Sequence, residues 1–138
     1  MDIQTLEQIA ENICEDFEAY APPVPIELML QKPLVGMWEE VDVAKLSGTF
    51  LSVAERYSPR MSLSRLLARH IAASDWGKAQ GINAILGNET LLNAFARMLI
   101  MPKEMLTGLT SNMRNPQTIS MHFEVPESDA RERLLELS

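Results

Sequence analysis

The stretch Asn88-Glu89-Thr90-Leu91-Leu92-Asn93-Ala94-Phe95-Ala96-Arg97-Met98-Leu99-Ile100-Met101-Pro102 carries the pattern on which the fold turns. Leu91, Leu92, Phe95, Ala96 and Leu99 fall on one stripe of a 3.6-residue period, so the segment predicts an amphipathic helix. Asn88 is placed to cap its first turn, where Glu89 complements the helix dipole. Pro102 stops it. The Phe95, Leu99 and Met101 positions read as core.

Working outward, Ser62 reads as the N-cap of a preceding helix. Leu63, Leu66, Leu67, His70 and Ile71 follow at i, i+3, i+4, i+7 and i+8, which puts His70 on or beside the buried face. Residues 3–20 form a third periodic segment, with Asp2 as cap and Ile3, Leu6, Ile9, Ala10, Ile13, Cys14, Phe17 and Tyr20 as its apolar side. Cys14 reads there as a small hydrophobe. Pro22, Pro23 and Pro25 end that helix, and Pro25 opens a short one over Ile26–Gln31. Leu34-Val35-Gly36-Met37-Trp38 and Gly48-Thr49-Phe50-Leu51-Ser52-Val53 are β-prone runs and predict two antiparallel strands. Gly77, Gly81 and Gly87 punctuate a loop around Ile82–Leu86. Lys103–Leu109 predicts another short helix. Residues 118–138 predict a helical hairpin, with Ile119–Phe123 first and Pro126 opening the second helix.

A chain of 138 residues matches one domain, and no linker or internal repeat divides residues 1–138. Its net charge of −7 opposes broad nonspecific binding to nucleic acid or anionic membrane. The charge is uneven. Residues 1–20 carry six acids and no base, whereas residues 60–103 carry six bases against two acids. That basic middle, with Met98, Met101, Met105 and Met113 as an adaptable apolar surface, is a candidate contact face. No apolar run reaches the length of a membrane span, and no secretory leader is read at Met1-Asp2-Ile3-Gln4. The expected compartment is cytoplasmic.

Nine Met stand beside only two His and one Cys. Zinc chemistry therefore has little to draw on. No G-x-S-x-G elbow or G-x-G-x-x-G loop is present, and the upstream glycine of a phosphate loop ending at Gly77-Lys78 is replaced by Ala72. His70 and His122 are far apart in sequence. In an H-E-x-x-H helix ending at His70, the first ligand and the general base would fall on Leu66 and Leu67.

The Glu89–Pro102 run resembles a signature of the ImmA/IrrE family of zinc metallopeptidases, roughly E-x-x-A-N-x-F-A-x-x-L-L-M-P. Glu89, Asn93, Phe95, Ala96, Leu99, Met101 and Pro102 match it. Arg60 to Ile71 takes the place of the family's H-E-x-x-H stretch. Phe123-Glu124-Val125 and Arg133-Leu134 are similar to its C-terminal pattern, with Pro126 where the family has Ser. Pro25-Ile26-Glu27 and Leu46-Ser47-Gly48 resemble its opening region. The resemblance implies an α+β fold, mainly helical with a small antiparallel β-sheet, as in a minimal zincin-like domain. It also implies where chemistry has gone. Leu66, Leu67, His70 and Glu89 mark a vestigial pocket; in a second register Leu67, Ala68 and Ile71 take the functional positions, with His70 at the glycine. Either way the general base and at least one zinc ligand are lost.

The expectation is a non-catalytic pseudo-peptidase, without metal or cofactor. It would regulate or scaffold through protein–protein contacts, and the family implies a helix-turn-helix repressor as partner class. The alternative is a divergent zinc metallopeptidase cleaving a regulatory protein, with His70, Glu89 and Asp75 as ligands. A second alternative is a DNA-binding stress or phage-type regulator using the 118–138 hairpin. Glu127, Asp129, Glu132 and Glu136 outnumber Arg131 and Arg133 there and would repel phosphate.

Overall fold

Helices built on those apolar stripes enclose one core. The computed structural model describes residues 2–45 and 57–138. Helix α1 spans Ile3–Asp16, with the Asp2 carboxylate accepting the Thr5 N–H at 2.7 Å. It ends before the prolines expected to stop it. Glu18 adopts φ +55°, and the Ala19 and Glu18 N–H groups return to the Cys14 and Glu15 carbonyls, a Schellman closure that satisfies the last turn. Helix α2 covers Ile26–Gln31.

Helix α3 runs Ser58–Ala73 and starts one turn earlier than the Ser62 cap predicts, because Pro59 lies in its first turn. Helix α4, Asp75–Gln80, occupies part of the expected glycine-punctuated loop, and Gly81 at φ +80° closes it. The Ser74 hydroxyl accepts the Gly77 N–H at 3.0 Å. A 3₁₀ segment, Ile82–Gly87, leads to α5, Glu89–Ile100, where Asn88 Oδ1 accepts the Leu91 N–H at 3.1 Å. Then come α6 (Lys103–Thr107), α7 (Pro116–Phe123) and α8 (Glu127–Leu137).

The expected α+β architecture is not what forms. Among the described residues the protein is all-helical and contains no strand. Leu34–Trp38, expected as a strand, is a turn. The Met37 N–H donates to the Leu34 carbonyl at 3.1 Å, and Gly36 takes φ +83°, as the third residue of a type II turn requires. Its β-prone side chains serve separate ends. Val35 is fully exposed, while Trp38 is buried and stacks on Phe17 with ring centroids 5.8 Å apart. The second expected strand, Gly48–Val53, lies outside the described residues, as does the Leu46-Ser47-Gly48 likeness.

Helices α3 and α5 make the most extensive contact, with α1 and α8 against α5 and α2 against α3. Leu67, Ile71, Leu92, Phe95 and Leu99 are buried in this centre, each contributing about 1.5–3 kcal/mol of transfer free energy. Helices α7 and α8 pair as the expected hairpin. No helix among the described residues is long and apolar enough to cross a membrane.

Candidate functional site

The α3–α5 seam is where the vestigial pocket was expected. Leu67 is fully buried there, and Leu66 packs half-buried against the same core. The second register fares no differently, since Leu67, Ala68 and Ile71 are all at 0% exposure. The buried Ser64 hydroxyl donates to the Ala96 carbonyl at 2.8 Å, which fixes the two helices at close approach. Small Ala68 and Ala96 leave room for that approach, and side chains take up the remaining space.

His70 and Glu89 do not join into a site. His70 is half-buried, and desolvation lowers its pKa from the usual histidine value. Glu89 is exposed, and its carboxylate accepts from Arg69 Nη2 at 3.1 and 3.3 Å. Asp75 lies exposed in the first turn of α4. No group of three or more His, Cys, Asp or Glu among the described residues is arranged to hold a metal ion, so His70, Asp75 and Glu89 do not converge as a ligand set. His122 is exposed on α7, on a different helix.

The basic middle is largely answered from within the chain. Arg60 binds Glu27 at 2.6 Å and also donates to the Val24 and Glu124 carbonyls. Arg65 faces Asp129 at 3.7 Å, Arg69 meets Glu89, and Arg97 meets Glu136 at 3.0 Å. Met98 and Met101 are fully buried, while Met105 and Met113 are half-buried, so half of the expected methionine surface is core. Cys14 is buried as read, and burial pushes its thiol up to about 12.

Sequence reasoning missed the pair that closes the molecule. Arg133, at 0% exposure, donates through both terminal nitrogens to Glu7 at 2.5 and 2.6 Å and through Nε to the Met101 carbonyl at 2.9 Å. A signal existed. Glu7 falls on the stripe of Ile3, Ala10 and Cys14, and Arg133 on that of Ala130 and Leu137. Two opposite charges on apolar faces need each other.

Other features concern the surface. A cleft of about 300 Å³ lies between the C-terminal half of α1 and the start of α6, lined by Glu11, Glu15, Tyr20, Glu104 and Met105 among others. The Glu104 N–H donates to Glu11 Oε1 at 2.9 Å. Burial and the Glu104 charge raise the Glu11 pKa above the usual carboxylate value. Along α8, Arg131 pairs with Glu127 at 3.5 Å and Arg133 points inward, while Asp129 and Glu136 are held by Arg65 and Arg97 and Glu132 is exposed. No protein-family model matches the chain, and neither a curated protein nor a solved structure does.

Proposed function

We propose that this chain is a non-catalytic ImmA/IrrE-like protein that regulates or scaffolds through protein–protein contacts, with a helix-turn-helix repressor as the partner class the resemblance implies. One observation carries the reading: the positions at which that family places its ligands and general base fall, in one register, on Leu66 and Leu67 and, in the other, on Leu67, Ala68 and Ile71, all packed in or against the α3–α5 core. A general base must reach solvent water and a metal must reach several donors. Side chains committed to packing do neither. The Glu89–Pro102 run then persists for what it does in the fold, as the central helix against which α1, α3 and α8 pack. The net charge of −7 and the pairing of Arg60, Arg65, Arg69 and Arg97 with carboxylates disfavour phosphate binding and support a protein rather than DNA as partner.

Two measurements test this. Elemental analysis of protein purified without chelator, together with a peptidase assay on unfolded casein, is expected to give substoichiometric zinc and no turnover. Stoichiometric zinc lost together with activity in Glu89→Ala would establish the metallopeptidase instead. Isolation at native abundance after mild cross-linking is expected to yield a complex of fixed stoichiometry with a second protein. Recovery of the chain alone overturns the contact role.

A further inference from the structure

We propose that the cleft between α1 and α6 receives a single arginine side chain from a basic segment of the partner protein. The proposal rests on the protein-contact reading above and names the chemistry of the contact.

The cavity comes first. Its volume of about 300 Å³ sits at the lower end of small-molecule pockets and suits one long side chain. Its surface is divided by chemistry. Cys14 and Met105 provide an apolar wall that can cover the methylene stem of an arginine. Glu11, Glu15 and Glu104 surround it with carboxylates, and no Lys or Arg is among the described residues that line it. Tyr20, 73% exposed, stands in the lining with its ring open to a guanidinium plane.

The same carboxylates do not form a metal site. They and Cys14 belong to no group arranged to hold a metal ion. Carboxylates spread around a cavity of this size fit a broad organic cation better than a bare divalent one. Arginine fits better than lysine because its planar fork can stack on Tyr20 and bond two carboxylates together. The raised Glu11 pKa points the same way. Desolvation and the Glu104 charge disfavour its ionised form, and an incoming cation would offset both. With six acids and no base in residues 1–20, α1 supplies no cation of its own.

The test is an NMR titration of the full chain with n-butylguanidinium, n-butylammonium and neutral n-butylurea. The guanidinium should give saturable shifts at the amides of Glu11, Glu15, Tyr20 and Glu104, and bind more tightly than the ammonium. Glu15→Gln and Glu104→Gln, both exposed conservative changes, should each weaken it by about two- to fivefold. Tyr20→Leu should weaken the guanidinium more than the ammonium. Equal binding of n-butylurea, unsaturable scattered shifts, or no change in the Gln variants overturns the cleft assignment. Ammonium binding as tight as guanidinium overturns the choice of arginine. The cross-linked complex separates the two readings. If it survives Glu15→Gln/Glu104→Gln undiminished, the cleft is wrong and the contact role stands; if the unaltered chain forms none, the contact role itself fails.

Discussion

Arg133 and Glu7, 126 positions apart, meet in the interior through two parallel hydrogen bonds of 2.5 and 2.6 Å. The pair ties the last helix to the first, and Arg133 Nε extends it to the Met101 carbonyl just beyond α5. Three segments distant in sequence are thus joined at one guanidinium.

Breaking one side of that pair leaves the other charge buried and uncompensated. Glu7→Gln or Arg133→Met should each destabilise the fold by about 3–5 kcal/mol. The double variant should recover a large part of the loss, since it leaves no lone charge. Urea unfolding of all four proteins measures the coupling. Single-variant losses within about 1 kcal/mol, the range of surface pairs, would contradict a buried role.

Building an H-E-x-x-H motif that ends at His70 should fail at its base. Leu67 is fully buried whereas Leu66 is not. Leu67→Glu should therefore cost about 3 kcal/mol or more, and Leu66→His much less. A Leu66→His/Leu67→Glu chain that kept its stability and bound zinc stoichiometrically would mean that this seam opens readily.

Gly77 is required by space. A Cβ built there would lie 2.0 Å from the Ile71 carbonyl oxygen, while one at Gly87 meets nothing within 4 Å. Gly77→Ala should destabilise by about 1–3 kcal/mol, and Gly87→Ala should stay within about 0.5 kcal/mol. Thermal unfolding of the two variants decides it, and equal melting temperatures would refute the contrast.

His70 should make the fold acid-sensitive. Desolvation lowers its folded pKa below the ordinary value of 6.5. Below pH 6.5 the unfolded chain takes up a proton that the native state resists, so stability falls as pH falls. The contribution is fully present above 6.5 and is lost as pH drops through the folded value. His70→Gln should flatten the decline in melting temperature between pH 7.5 and 5. An unchanged slope would show that His70 protonates freely in the native state.

The helices were legible where a local rule sufficed. The stripe of Leu91, Leu92, Phe95, Ala96 and Leu99, with Asn88 before it and Pro102 after it, predicts α5 almost to the residue. The lack of ligand and base chemistry at Leu66 and Leu67 was legible as well, because leucine has no group to ligate metal or move a proton. Helix α4 was harder to see. Gly77 looks like a helix breaker, yet it is what lets α4 approach the end of α3.

By itself the sequence determined the amphipathic helices and the absence of an H-E-x-x-H site, since periodicity, caps and ligand chemistry are properties of neighbours along the chain. Tertiary structure alone decided that Leu34–Trp38 turns rather than pairs. A β-prone run becomes a strand only if another strand meets it, and here Gly36 turns the backbone while Trp38 stacks on Phe17. It also decided the fate of the charges. Glu7 and Arg133 lie on apolar stripes of helices far apart in the chain, and only the folded packing brings them together and makes their burial tolerable.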